Sequence, residues 1–171
     1  MGQAVPAPEA PTSEGHGSLA LTFHPSDALV SIVRRFVLDV FDDVVGDRDA
    51  ISRVALATHE LLENAVKYAA SDEAEVSVAV SGDRLRRKVV VTTRNRASRE
   101  HLDAAARHLD ELMAAPDAVA HYQQLIRRTA REHGSGLGLA RVRAEAVMAM
   151  RHVIEGETIC IQADLEVESR P

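Results

Sequence analysis

Two stretches of the chain carry residues whose types and spacing could do chemistry. The first is "GSGLGL": Gly134, Ser135, Gly136, Leu137, Gly138 and Leu139, with glycine at alternate positions at a helix start. Inside a helix, glycine costs about 0.8–1 kcal/mol against alanine, so the repetition needs a reason. Glycine lets backbone N–H groups approach an anion closely, and a helix N-terminus adds unsatisfied donors and a favourable dipole. That is phosphate-binding chemistry; the plain alternative is a flexible turn into a helix. The loop follows a helical segment, which disfavours a dinucleotide-binding βαβ unit. No Lys-Ser or Lys-Thr pair follows it, which disfavours a P-loop. The second stretch is "THELLENAVKYAA", Thr58 to Ala70. At about 3.6 residues per turn, Glu60, Asn64 and Lys67 share one narrow stripe, a carboxylate, an amide and an ammonium in a row. Ile51, Val54, Leu61, Leu62, Ala65 and Val66 form the opposite, apolar stripe. A solvated outer face would look the same, although asparagine has little reason to sit mid-helix.

Composition bounds what these stretches can serve. The chain has 171 residues, 46% apolar and 27% charged, which suits one globular domain with a core of its own. Aromatics make up only 3% and Trp is absent, so that core must be built from Ala, Val, Leu and Ile. The net charge of -6 argues against nucleic acid as a partner, for which a basic surface is the usual footprint. No apolar run reaches the roughly 18 residues of a membrane span, and the start lacks the basic-then-apolar pattern of a secretory signal. A cytoplasmic protein with no membrane partner is the expectation. The single cysteine, Cys160, excludes an internal disulfide framework and a cysteine-built zinc site. Its alternating context, "ETICIQADL", suggests a buried structural thiol.

Residues 1–17, rich in Pro, Ala and Gly without apolar periodicity, read as a disordered tail. Residues 18–167 read as one domain and 168–171 as a C-terminal tail. "SLALTFH" alternates like a strand. "PSDALVSIVRRFVLDVFDDVVG" has helical periodicity between the capping residue Ser26 and Gly46. A second helix spans about Asp49 to Ala69. "AEVSVAVSGDRLRRKVVVTT" is a hairpin around Gly82-Asp83. Residues 98–133 are polar and helical, with Ser98 as a cap and Pro116 separating two helices. The glycine loop then runs into a helix, and "RHVIEGETICIQADLEV" closes as a hairpin turning near Gly156. Strand pairs alternating with helices predict an α+β two-layer sandwich with helices on one face of the sheet. The insert at 98–133 is too long for an ordinary connection and reads as a lid or partner-binding element.

Taken together, a helix bearing Glu60 and Asn64, a downstream hairpin, an insert and "GSGLGLA" resemble the GHKL ATPase superfamily. That superfamily includes gyrase-type ATPases, sensor histidine kinases and anti-sigma serine kinases. The resemblance covers about Ser18 to Val167. Glu60 and Asn64 match the family's N box, and "NAVKYA" is close to its histidine-kinase and serine-kinase form. Gly134, Gly136, Leu137, Gly138 and Leu139 match the G2 box. The family's Asp-x-Gly-x-Gly motif, whose Asp accepts from the adenine amino group, is missing: "KVVVTT" runs straight into "RNRAS". Asn95 is the nearest substitute, because its amide oxygen can accept the same hydrogen bond; alternatively it simply forms a turn.

The resemblance implies a Bergerat-type ATP-binding fold, a mixed sheet with helices on one face and a helical lid, with ATP and Mg²⁺ as cofactors. It implies that Asn64 ligates Mg²⁺, a role that suits a neutral hard oxygen. Glu60 would orient or deprotonate an attacking water or hydroxyl, and Lys67 would pair with phosphate. The loop, Ser135 included, would cradle phosphates. Tyr68 would line the nucleotide pocket, or else be a partly buried surface aromatic. Arg127, Arg128 and Arg131 would close over phosphates or form a solvated face. His101, His108, His121 and His133 read as surface residues, and no histidine has metal-ligand spacing. With no attached sensor or phosphoacceptor domain, the chain looks like the anti-sigma serine kinases and bacterial relatives of the SiaB type. Such relatives imply an ATP-dependent Ser/Thr protein kinase in partner-switching signal transduction. Its target would be a small antagonist protein of the anti-anti-sigma kind, and a homodimer stays open. The alternative is a non-catalytic module that holds nucleotide weakly and presents its insert to a partner. The missing box favours that alternative; Glu60 and Asn64 oppose it.

Overall fold

The computed structural model describes residues 17–83, 85–132 and 136–168. Residues 1–16 of the tail expected over 1–17, the last residues 169–171, and Gly134 and Ser135 of the loop lie outside the described residues. β1 (Gly17–Phe23) leads into a helical hairpin, α1 (Asp27–Val45) and α2 (Arg48–Tyr68). β2 (Ala74–Gly82) and β3 (Arg86–Arg96) form the first β-hairpin. The insert is α3 (Arg99–Ala114) and α4 (Ala118–Glu132), followed by α5 (Leu137–Ala144). β4 (Ala149–Glu155) and β5 (Thr158–Glu168) are the last elements among the described residues.

Local chemistry explains where the helices begin and end. Gly46 stops α1 in the left-handed region, φ 69, with its N–H on the Asp42 carbonyl at 2.8 Å, a conformation that favours glycine. Asp47 then caps α2 by accepting from the N–H groups of Asp49 and Ala50, two donors that would otherwise be orphaned. Ser98 Oγ accepts from the His101 N–H at 3.3 Å and starts α3. Pro116 falls in the break between α3 and α4, as its missing donor requires.

The five strands form one sheet in the order β1-β2-β3-β5-β4. All pairings are antiparallel, so the sheet is not mixed, contrary to expectation. The α1–α2 hairpin returns the chain beside β1 in the opposite direction. β3 and β4 run the same way, but β5 lies between them. The two-layer sandwich itself is as expected. Alternation sends Val76, Val78 and Val80 of β2 and Val89 and Val91 of β3 under the helices, with Ile161, Ala163 and Leu165 of β5 beside them. Val37 and Phe41 of α1, Ile51, Val54, Leu61 and Leu62 of α2, and Leu102 and Leu109 of α3 pack onto that layer. Full burial of such a side chain stabilises by about 1.5–3 kcal/mol, and aliphatic numbers compensate for the missing aromatics. Cys160 is not in this core: it sits half-buried on the other face of β5, where burial raises its thiol pKa. Among the described residues, no helix is long and apolar enough to cross a membrane.

Candidate functional site

A cavity of about 430 Å³ opens where the end of α2, the face of α3 and the start of α5 meet the ends of β3 and β5. That volume is within the roughly 300–1,000 Å³ of small-molecule sites. Asn64 and Tyr68 reach it one turn apart, near the C-terminal end of α2. Asn95 reaches it from β3, at the last position of the strand that alternation places under the helices. Asn95 is therefore not a turn residue: it pairs with Ala74 on one side and Ile159 on the other, and it is 5% exposed. Its Nδ2 donates to the Arg96 carbonyl at 3.1 Å, which leaves Oδ1 as the acceptor it can offer a guest. Ala97, Leu102, Leu139 and Ile159 supply an apolar lining. An apolar slot with a few convergent polar groups suits a planar base.

Two histidines that read as surface residues join this lining: His101 is indeed exposed, and His108 is half-buried. His101 stacks obliquely on Tyr68, with ring centroids 5.1 Å apart and planes at 57°. His108 Nε2 lies 2.9 Å from the Gly136 carbonyl, and a carbonyl only accepts, so Nε2 carries the proton. The missed signal is the seven-residue spacing on α3, with Ala104 and Ala105 between them on the same face.

The stripe of Glu60, Asn64 and Lys67 keeps its spacing, but its members meet different surroundings. Lys67 is exposed, with Nζ 5.2 Å from the Tyr68 ring centroid, and does not line the cavity. Glu60 is 5% exposed and does not line it either. Its Oε1 accepts from Arg141 NH1 at 2.6 Å. The same guanidinium reaches Glu145 Oε2 through Nε at 3.2 Å and NH2 at 3.1 Å. Arg141 escaped sequence reasoning; it lies one turn after Gly138, on the face of α5 that packs on α2. Burial pushes the Glu60 carboxyl up, and Arg141 pulls it back without cancelling the burial; His59 also lowers it, while Glu63 and Glu145 raise it. For Arg141, burial opposes the charge, and the hydrogen bond to Glu145 with the charges of Glu60 and Glu145 more than offset it.

The glycines of the loop divide by role. A Cβ on Gly138 would sit 2.4 Å from Glu60 Oε2, so the bare Cα lets α5 approach α2. Gly136 has φ 116, which favours glycine, and a Cβ there would press on the His108 ring at 3.2 Å. Leu137 is half-exposed and Leu139 buried against the cavity. Arg127 and Arg128 are exposed on α4, and the side chain of Arg131 lies outside the described residues. Among the described residues, no group of 3 or more His, Cys, Asp and Glu could hold a metal ion. A cation here would rest on a single amide such as Asn64, on water and on ligand phosphates, which is how Mg²⁺ is commonly held.

Among curated proteins, nothing matches the chain. Its fold is similar to that in the crystal structure of the SiaB-SiaC complex from Pseudomonas aeruginosa, with a TM-score of 0.64 over 87% of this chain and 89% of that one. Identity is 16%, so the likeness is one of fold. Residues 23–163, from the last residue of β1 into β5 and including α2 and the glycine loop, match the histidine kinase-like ATPase domain, and the chain belongs to that family.

Proposed function

We propose that the chain binds ATP and Mg²⁺ in the cavity between α2 and α3, and that it is a bacterial, cytoplasmic Ser/Thr protein kinase. Its target would be a small antagonist protein, phosphorylated in a partner-switching circuit. The observation that carries the nucleotide reading is the meeting of Asn64, Tyr68 and Asn95 on one cavity at the start of α5. Asn95 Oδ1 would accept from the adenine amino group, and the Tyr68–His101 pair would wall the base. Asn64 would hold Mg²⁺, whose charge neutralises phosphate oxygens when bound. Lys67 and the backbone of Gly134, Ser135, Gly136 and Leu137 would hold the phosphates. Glu60 would take the proton of the substrate hydroxyl as its oxygen bonds the γ-phosphorus and ADP leaves. The similarly folded chain was solved in the SiaB-SiaC complex, which supports a protein partner here.

One observation favours a second reading, a non-catalytic binding module: Glu60 stands outside the cavity, bound by Arg141. A homodimer also has a candidate surface. Ile32, Phe36 and Val40 form an exposed apolar stripe on α1, flanked by Arg35 and Asp39. An antiparallel crossing at Phe36 would set Ile32 of one copy against Val40 of the other. β1 lies at the sheet edge near this helix, without the charge or proline that usually guards an edge.

Calorimetric titration with ATP tests the nucleotide reading. We expect binding that requires Mg²⁺, with the Mg²⁺ dependence abolished in Asn64→Ala while circular dichroism stays native. No binding by the native chain rejects both ATP and Mg²⁺. Phosphorylation of the partner, followed by mass spectrometry, then separates kinase from module: ATP and partner bound without transfer leaves the module.

A further inference from the structure

We infer that Arg141 is a positioning residue that holds Glu60 out of the cavity, and that the lid helix α4 controls its release through Tyr122 and Glu145. This inference rests on the reading of Glu60 as the proton acceptor. Both oxygens of that carboxylate face α5, and one is paired there. Oε1 is ion-paired to Arg141 at 2.6 Å, and Oε2 faces the bare Cα of Gly138. A general base must come within about 2.6–3.2 Å of the proton it takes, and from behind α5 Glu60 does not line the cavity where the nucleotide would lie. Turning toward the cavity therefore means leaving Arg141.

Arg141 is shared, which makes the hold adjustable. Its guanidinium divides between Glu60, by NH1, and Glu145, by Nε and NH2. Glu60 is buried, whereas the Glu145 side chain is 43% exposed. The buried carboxylate depends on the guanidinium more, because water cannot replace it. The exposed one competes for it. Tyr122 of α4 acts on Glu145 at close range, and α4 packs along α5. While α4 is seated, Tyr122 shares the load on Glu145 and Arg141 stays with Glu60. When α4 lifts, Glu145 loses the phenol and draws the guanidinium, which loosens Glu60. His59 and Glu63 also act on Glu60, but both belong to α2 and move with it.

The test is steady-state turnover of Mg-ATP by the full chain, read as ADP formed with water in place of the substrate hydroxyl, and a native chain that forms none overturns the inference. Arg141→Gln should raise kcat by about threefold or more while KM stays within about twofold, the pattern of a change in the transition state alone. Arg141→Lys, which keeps the charge but not the fork, should fall between that variant and the native chain. Tyr122→Phe should raise kcat. Glu145→Gln should lower it below the native value, because Arg141 then belongs to Glu60 alone. A folded Arg141→Gln chain with kcat at or below native, or silent, overturns the inference, as does a faster Glu145→Gln. If Arg141→Gln does not fold, the opposite signs of Tyr122→Phe and Glu145→Gln decide. Glu60→Gln separates the two levels. If it keeps native turnover, the base reading is wrong; if it abolishes turnover while Arg141→Gln activates nothing, only the hold by Arg141 is wrong.

Discussion

Replacing Arg141 with Met should destabilise the chain far more than replacing its partner. A carboxylate on an exposed helix face would cost within about 0.5 kcal/mol on substitution, but Glu60 is 5% exposed. Removing one partner of a buried ion pair costs roughly 3–5 kcal/mol, because a charge is left without compensation. The Arg141 side chain is 37% exposed, so water partly replaces it, and the expected loss in Arg141→Met is about 2–3 kcal/mol. For a domain of this size that lowers Tm by roughly 4–12 °C. Glu60→Gln keeps the shape, and Arg141 retains Glu145, so the loss there is about 1 kcal/mol. The pH dependence distinguishes the cases further. The folded-state carboxyl pKa of Glu60 lies above its usual 4.5. Between those two values the folded chain binds more protons than the unfolded one, so this group's contribution to stability falls as pH rises through that window. Arg141→Met removes the charge that pulled the carboxyl back and widens the window. Its deficit is therefore largest at neutral pH and shrinks on acidification, as Glu60 takes up a proton and ceases to need a partner. The deficit of Glu60→Gln moves the other way, since only the native chain gains from that protonation. Urea unfolding at about pH 7 and about pH 5, followed by circular dichroism, reads both slopes. A native urea midpoint for Arg141→Met at neutral pH, or an equal deficit at both pH values, would refute the argument.

Three further substitutions test other parts of the structure. Gly138→Ala places a methyl 2.4 Å from Glu60 Oε2 and should cost about 1–3 kcal/mol as overpacking; a native urea midpoint would mean that α5 is not seated against Glu60. Val147 has φ 51, is 62% exposed, and is held by Arg53 NH2 on its carbonyl at 3.1 Å. The left-handed conformation costs a β-branched residue roughly 1–2 kcal/mol, so Val147→Gly should stabilise by about 1 kcal/mol net of the glycine entropy cost, and a lower Tm would contradict this. Phe36→Glu should convert a dimer to a monomer in light scattering, and a native chain that is monomeric at every concentration disposes of the α1 surface.

The parts of the fold that could be read in advance are those where the signal is local. Gly46 ends α1 and Pro116 separates α3 from α4 because each residue acts on its own backbone. The start of α2 is legible only to within a residue, because its cap Asp47 is one of several acidic residues in "DDVVGDRDA" that could cap a helix. Strand direction is not local. Whether β4 joins β3 directly or through β5 depends on long-range pairing, and that choice makes the sheet antiparallel throughout.

The same division runs through the site. Asn64 and Tyr68 could be placed from the helix period alone. Asn95 could not, because "RNRAS" reads equally as a turn, and only its pairing between Ala74 and Ile159 makes it a buried strand residue at the cavity. The surroundings of Glu60 are set 81 residues away, by Arg141, and no periodicity connects α2 to α5. This also changes what the glycine motif means. Phosphate chemistry alone would make its glycines equivalent, yet Gly138 faces a carboxylate oxygen and Gly136 a histidine ring. A bare Cα at Gly138 is what allows Glu60 to be buried and shared with Arg141. The motif and the N-box carboxylate are therefore one packing unit, and a change in either is felt first by the other.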